Sequence, residues 1–465
     1  MPLRLFDTRT QQLRDLTPAD AKVVTMYVCG PTVYNYIHIG NARPAVVFDI
    51  LFRALQARYP KVKFVRNITD IDDKINQAAK TQNQSIRKFT QHYIQAYHED
   101  LTQLGCQRPT HEPLCTDHIA DMIAMIEQLI EKRHAYSAEQ HVLFDVTSMS
   151  DYGALSHIKL EELLAGARVE AANYKRNSGD FVLWKPSSDD MPGWPSPWGI
   201  GRPGWHIECS AMINAHIGPY VDIHGGGIDL TFPHHENERA QSNCCHNTES
   251  VGVWLHNGYV QMKGEKMSKS LGNFVSLRSL LGEHHPEVVR YALLATHYRA
   301  PLEWSEQVLE QARNNLTRFY QVLRDDAQHQ STPTPVAVDA LLANPLLAPF
   351  QQALEQDLNT ALCLSELHQL CQAYFTAQST DDQRQLAQAL RAGAQQLGLL
   401  GHDWQQWFQQ AQAGLSHAEI EQAITKRAQA KTAKNYQLAD QIRSELLNAG
   451  VELEDTAAGT RWQRS

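Results

Sequence analysis

Residues 23–29, Val-Val-Thr-Met-Tyr-Val-Cys, form a β-branched run that Gly30-Pro31-Thr32 breaks, and a helical apolar pattern follows from about Ala42 to Tyr59. A second strand-like run, residues 62–65, arrives after Pro60. Strand, loop, helix and strand in this order predict a parallel βαβ unit whose first loop faces the amino end of a helix, the place where a phosphate is readily held. That loop contains neither Gly-x-Gly-x-x-Gly nor Gly-x-x-x-x-Gly-Lys, which argues against a dehydrogenase or a P-loop enzyme. It carries His38-Ile39-Gly40-Asn41 instead.

The rest of the chain is read around this unit. Helical patterns cover about Ser85 to Leu104 and Asp117 to Lys132, and a Pro- and Trp-rich stretch runs from Pro186 to Pro203. Strand-like residues 220–223 and 251–255 flank a helix expected to begin near Pro233, so the α/β alternation resumes after an insertion. Beyond Ser305, an expected helix N-cap, the pattern is helical, with a polar linker at 328–335 and a break at Ala413-Gly414. The expected fold is α/β, a Rossmann-like catalytic domain with a connective insertion, then an α-helical bundle and a small C-terminal α/β segment. The boundaries are 1–105 and 205–304 for the two halves of the core, 106–204 for the insertion, 305–412 for the bundle and 413–465 for the C-terminal segment.

With 465 residues the chain has the length of about three domains. Its net charge of −9 means that any nucleic-acid contact must come from a local basic patch. Lys426, Arg427, Lys431 and Lys434 supply one, with Arg427, Lys431 and Lys434 near one helix face and Trp462 available to stack on a base; a solvated basic helix is the alternative. Neither a signal-peptide-like start nor a run of about 20 apolar residues is present, so no export and no membrane contact are expected. Eight scattered cysteines without Cys-x-x-Cys fit reduced thiols in the cytoplasm.

Several residue groups suggest chemistry. His38 and Asn41 would donate hydrogen bonds to a triphosphate at the helix start, with Gly40 admitting an adenine ring; a capped helix with an incidental histidine explains them equally well. Lys266-Met267-Ser268-Lys269-Ser270 suits a mobile clamp on polyphosphate, against the ordinary reading of a solvated basic loop. His234 and Glu238, four apart, would share a helix face as two ligands of one metal require, though a solvated His-Glu face has the same spacing, and Cys29 and Cys209 alone read as buried thiols. Asp70, Asp72 and Asp73 fit a helix start better than a magnesium site.

The two loops, in this order and spacing, resemble the signatures of class I aminoacyl-tRNA synthetases, with Asn41 standing where that family commonly has a second histidine. Residues 26–30, 66–74 and 224–230, Met-Tyr-Val-Cys-Gly, Arg-Asn-Ile-Thr-Asp-Ile-Asp-Asp-Lys and His-Gly-Gly-Gly-Ile-Asp-Leu, are similar to the cysteinyl-tRNA synthetase family along the whole chain. The resemblance implies ATP-dependent activation of L-cysteine and transfer to cysteine tRNA, with one zinc ion per chain held by Cys29, Cys209, His234 and Glu238 and magnesium arriving with ATP. Catalysis would fall to His38, Asn41, Lys266 and Lys269, with Gly40 and Ser268 also on ATP. The cysteine pocket would take in Cys29, Thr69, Trp205, His206, His224 and Asp229. Trp205 would cap it and Asp229 hold the ammonium, although Asp229 fits a helix cap as well and His206 and His224 fit core hydrogen bonding. A monomer is expected. Two alternatives stand beside this reading: a ligase passing cysteine to an amino sugar, without the tRNA-reading end, and an RNA-binding protein with an inactive core.

Overall fold

The β-branched run becomes strand Val23–Val28, paired in parallel with Lys61–Arg66 on one side and Val221–Gly227 on the other. Strand Val251–Asn257 continues the sheet beyond Val221–Gly227, again in parallel. Val24, Met26, Phe64, Ile223 and Leu255 are buried on one face and Tyr27, Val65, His224 and Trp254 on the other, as a parallel sheet covered on both sides requires. From Val23–Val28 the chain crosses to the edge at Lys61–Arg66; from Val221–Gly227 it crosses to the opposite edge. The two inner strands therefore flank a topological switch point, and Cys29 is the first residue past one of them.

The computed structural model describes residues 2–162, 173–188, 191–267, 274–327, 344–409, 417–456 and 459–464. They form two compact units: the described parts of 1–312, 336–367 and 392–399, and those of 313–335, 368–391 and 400–465.

In the first unit the helix after the opening strand spans Ile39–Gln56, three residues earlier than its apolar pattern predicts. His38 is extended, and its carbonyl accepts from the amides of Asn41 and Ala42, so the polar loop residues themselves begin the helix. Asp72 caps helix Asp73–Thr81 by accepting from the Lys74 amide at 2.7 Å, in keeping with acids at a helix start. Helices Ile86–Gln103 and Ile119–Glu131 follow the expected pattern. Within the expected insertion, strands Ala135–Ala138, His141–Phe144, Phe181–Pro186 and Gly201–Pro203 form an antiparallel sheet that the sequence did not announce, because strands this short carry little periodicity. The helix expected near Pro233 also differs: Thr231–His235 is a kinked turn in which Phe232 is extended, and the α-helix runs from Glu236 to His246.

Beyond Ser305, whose hydroxyl accepts from the Val308 amide at 3.4 Å, helices Glu306–Ala327, Ala348–Glu355, Thr360–Thr376, Thr380–Gln396 and Trp404–Gln409 follow. The linker at 328–335 and the break at Ala413-Gly414 lie outside the described residues.

The end of the second unit corrects the basic-stripe reading. Helices His417–Thr432 and Tyr436–Asn448 pack on the hairpin Val451–Thr456/Gly459–Arg464 through Ile420, Ile442, Leu446, Val451, Leu453 and Trp462. Arg427 is 3% exposed, and both its terminal nitrogens donate to Asp455 at 2.8 Å, which Lys431 also reaches at 2.7 Å. Those bonds, Arg427 first, hold the Asp455 carboxyl well below the ordinary range. Lys434 lies past the helix end with φ 55°, and Trp462 is buried with its Nε1 donating to Glu421 at 2.7 Å. Two of the four cations are thus internally neutralised, and the indole is a core residue that cannot stack on a base. Arg427→Ala is expected to cost this unit about 1–2 kcal/mol in chemical unfolding followed by tryptophan fluorescence, after allowing for the half-exposed carboxylate, whereas Lys426→Ala changes it by less than about 0.5 kcal/mol. Equal effects would contradict the pairing.

Candidate metal and active site

Four side chains from three separate stretches converge at the switch point. Cys29 follows the first strand, Cys209 lies in helix Trp205–His216, and His234 and Glu238 come from the kinked turn and the helix that follows it. Gly30 makes the approach possible, because a Cβ there would lie 1.6 Å from the Asn67 carbonyl oxygen. Cys29 Sγ stands 3.6 Å from Cys209 Sγ, 3.6 Å from His234 Nε2 and 3.3 Å from Glu238 Oε1. Cys209 Sγ to His234 Nε2 is 3.7 Å, and His234 Nε2 to Glu238 Oε1 is 2.8 Å. Atoms about 2.0–2.3 Å from one tetrahedral centre stand about 3.3–3.8 Å apart, so all these edges but the last have the length that one bound metal ion imposes.

The electrostatics of the group fit a cation as well. Burial, reinforced by Cys209 and Glu238, pushes the Cys29 thiol well up, and burial pushes the Glu238 carboxyl well up. Without a positive charge among them, Cys29 and Glu238 are held in their protonated forms, whereas against its burial the Cys209 thiol is drawn down by its contacts with Cys29 and His234; a divalent ion restores the anions. His234 Nδ1 lies 3.0 Å from His206 Nδ1, which leaves Nε2 turned toward the thiols. His206 is itself held neutral, first by burial and then by His234.

A second group of four shares two of these residues: Cys29, His224, His235 and Glu238. His224 Nε2 and His235 Nε2 are 3.6 and 3.3 Å from Cys29 Sγ. His235 Nδ1 contacts His256 Nε2 at 2.7 Å, and His256, pushed down to about 3 by burial, contacts the Thr8 hydroxyl at 2.8 Å. With two sulfurs in the first group and one in the second, a thiophilic ion favours Cys29, Cys209, His234 and Glu238. His235 and His256 escaped the sequence reading; the only signal was the doublet His234-His235, which spacing cannot distinguish from a solvated pair.

Of the expected pocket residues, Trp205 is 42% exposed and stacks on His234 with centroids 4.0 Å apart, while His206 and His224 lie inside the imidazole cluster. Thr69 is buried, its hydroxyl engaged with Asn67 and Glu208 at 3.2 Å each. Asp229 is half-exposed and sits 3.5 Å from Lys266 Nζ; it lies within the turn Ile228–Leu230 and is the N-cap neither of that turn nor of the one that follows.

The His38–Asn41 loop meets the segment that resumes after the Lys266–Ser270 loop, beyond residues 268–273, which lie outside the described residues. His38 forms an antiparallel bridge with Ser276, the Ile39 amide donates to the Val275 carbonyl, and the Leu277 amide to that of Ile37. The His38 ring faces Phe274 at 6.4 Å, and Gly40 has no room for a side chain, since a Cβ would lie 2.9 Å from that imidazole. Lys266 ends strand Glu265–Lys266, its ammonium 4.2 Å from the centre of the Tyr259 ring. Ser268 and Lys269 lie outside the described residues. Asn41 Oδ1 accepts from the His38 amide at 3.5 Å. Two positions further on, buried Arg43 donates to the carbonyls of Gly258, Tyr259 and Ala300 at 2.7–2.9 Å and of His297 at 3.3 Å. It ties the signature helix to the root of the hairpin that carries Lys266.

Comparison with known proteins agrees with this arrangement. Residues 15–314 match the family model for the catalytic domain of class I (C) tRNA synthetases, and the chain carries that domain. A methionyl-tRNA synthetase of Mycobacterium tuberculosis, solved in complex with methionyl-adenylate, has the same fold: TM-score 0.56 at 15% identity, over 81% of this chain and 89% of that one. At the level of sequence, the cysteine–tRNA ligases of Paramagnetospirillum magneticum and Saccharophagus degradans are each 51% identical, with 100% of both chains covered. The chain belongs to the cysteine–tRNA ligase family. Neither the amino-sugar ligase nor the inactive-core alternative finds support in matches of this length.

Elemental analysis of the purified protein is expected to find one divalent metal ion per chain, lost in Cys209→Ala and in His234→Ala with the circular dichroism unchanged. Full metal content in both variants would contradict the site.

Proposed function

We propose that this chain activates L-cysteine with ATP and transfers it to the 3′ end of cysteine tRNA. The observation that carries the proposal is the convergence of Cys29, Cys209, His234 and Glu238 at the switch point of a chain about half identical, end to end, to cysteine–tRNA ligases. The cysteine carboxylate attacks the α-phosphate of ATP, pyrophosphate leaves, and a hydroxyl of the terminal tRNA ribose then takes the acyl group and releases AMP. Zinc held by the four ligands supplies a soft Lewis acid that binds a thiolate far better than a hydroxyl.

Every other part of the task falls to the chain's own residues. Trp205, stacked on His234, covers the ligand cluster, and Asp229 offers a carboxylate for the substrate ammonium. Thr69 acts by holding Glu208 and Asn67 beside Cys209, and His206 and His224 line the cluster. His38, Gly40 and Asn41 take the nucleotide at the helix start; Lys266, Ser268 and Lys269 take its phosphates, with magnesium carried in by ATP. A steric pocket separates near-isosteres by only about 10²-fold, so selection by sulfur removes the need for editing against serine.

The division of labour we propose is catalysis in 1–105 and 205–304, a connective insertion at 106–204, a helical bundle at 305–412 and tRNA reading by 413–465. Of Lys426, Arg427, Lys431 and Lys434, Asp455 takes up Arg427 and Lys431, and Lys426 and Lys434 are exposed. The ligand set is complete within one chain, so the site needs no second copy, and the chain is proposed to act as a monomer. All eight cysteines are free thiols, which fits the reducing cytoplasm proposed for this chain.

Pyrophosphate exchange tests the proposal. Exchange is expected to depend on cysteine, to be at least about 10³-fold weaker with serine, and to fall by about 10²-fold in Lys269→Ala. Exchange supported equally by serine would refute it.

A further inference from the structure

A second cluster of imidazoles lies apart from the one just described. His118 precedes helix Ile119–Glu131, and His216 ends helix Trp205–His216, seven residues and so about 10 Å along the axis from Cys209. Their Nε2 atoms are 3.1 Å apart, with ring centroids at 4.9 Å and planes at 67°. Two nitrogens bound about 2.0–2.1 Å from one metal ion at angles between square and tetrahedral stand about 2.9–3.4 Å apart. The pair therefore already has the spacing of a two-imidazole chelate.

The surroundings sharpen this. His118 Nδ1 lies 2.7 Å from Asp121 Oδ2, so with the carboxylate accepting from Nδ1–H the Nε2 lone pair faces His216, the arrangement that orients metal-ligating histidines. His111, exposed, lies beside His216 with centroids at 5.6 Å, and two backbone bonds hold it against the end of strand Lys61–Arg66: its amide to the Phe64 carbonyl and its carbonyl from the Arg66 amide. His216 is kept neutral, first by burial and then by His118, His111 and Lys63. A metal ion between the two Nε2 atoms requires both to present lone pairs, so a neutral His216 then carries its proton on Nδ1, and binding needs no net proton loss from the protein. His118 and Asp121 are i and i+3 at a helix start, and His216 ends another helix, so the pairing comes from tertiary structure and is invisible to spacing.

We propose that His118 and His216, with Asp121 behind His118, form a second metal site for a borderline first-row divalent cation, the remaining positions being filled by water or by His111. Imidazole nitrogens without thiolates suit nickel, copper or zinc and not magnesium or calcium. A bound ion pins the last turn of the helix that carries Cys209 to the start of helix Ile119–Glu131.

The test is isothermal titration of the zinc-loaded protein with Ni²⁺, zinc content being measured afterwards to confirm that none was displaced. The native chain is expected to take up one more equivalent of Ni²⁺ than His118→Asn or His216→Asn, and Asp121→Asn to weaken that equivalent by roughly tenfold or more. Unchanged uptake in His118→Asn and His216→Asn, or no Ni²⁺ uptake by the native chain, overturns the proposal. Because Asp121 is half-exposed, its variant keeps the test open should a histidine variant fail to fold.

Discussion

Two thiols, an imidazole and a carboxylate brought within 4.8 Å of one another, three of the four residues buried, form an arrangement that cannot stand on packing alone. Burial drives Cys29 and Glu238 toward their neutral forms, and a cation is the one addition that turns the same contacts into attraction. The surrounding structure serves this constraint. The parallel strands end at the cluster, the helix from Trp205 delivers Cys209 to it, and the kinked turn at Thr231–His235 leads into the helix so that His234 lies beside Glu238. The imidazoles of His206 and His235 pack around it with burial holding them neutral, so that they orient ligands without adding positive charge.

The nucleotide side rests on a different device. Arg43, buried on the signature helix, bonds four carbonyls and no carboxylate, and burial brings its guanidinium down to about 10, still charged at neutral pH. Six residues along the same helix, Asp49 accepts from Arg53 at 2.8 Å, from the Gln107 amide at 2.7 Å and from Arg290. A helix this apolar would otherwise be free to slide on the sheet. These two buried charges lock its register and so keep His38 next to Val275 and Ser276.

Much of this was legible in the sequence, and the reason is locality. The βαβ unit, the Ser305 cap and the His234–Glu238 pair are set by residues within one element or its flanks, where period and spacing speak directly. The joining of Cys29 and Cys209 to that pair was legible only through resemblance, since no local rule links positions 180 residues apart. The antiparallel sheet in the insertion and the His224–His235–His256 chain depend on tertiary packing. The C-terminal stripe failed for the same reason: Arg427 and Trp462 have the residue types of an RNA-binding face, but Asp455 and Glu421, which take them up, come from other elements.

The central claim is that the metal selects the substrate by its sulfur. X-ray absorption at the zinc edge tests it most directly. The zinc-loaded protein alone is expected to show two sulfur scatterers at about 2.3 Å with nitrogen and oxygen at about 2.0–2.2 Å. Adding L-cysteine should raise the sulfur count to three, and adding L-serine should leave it at two. A coordination shell that cysteine leaves unchanged, or that serine changes equally, would contradict the account.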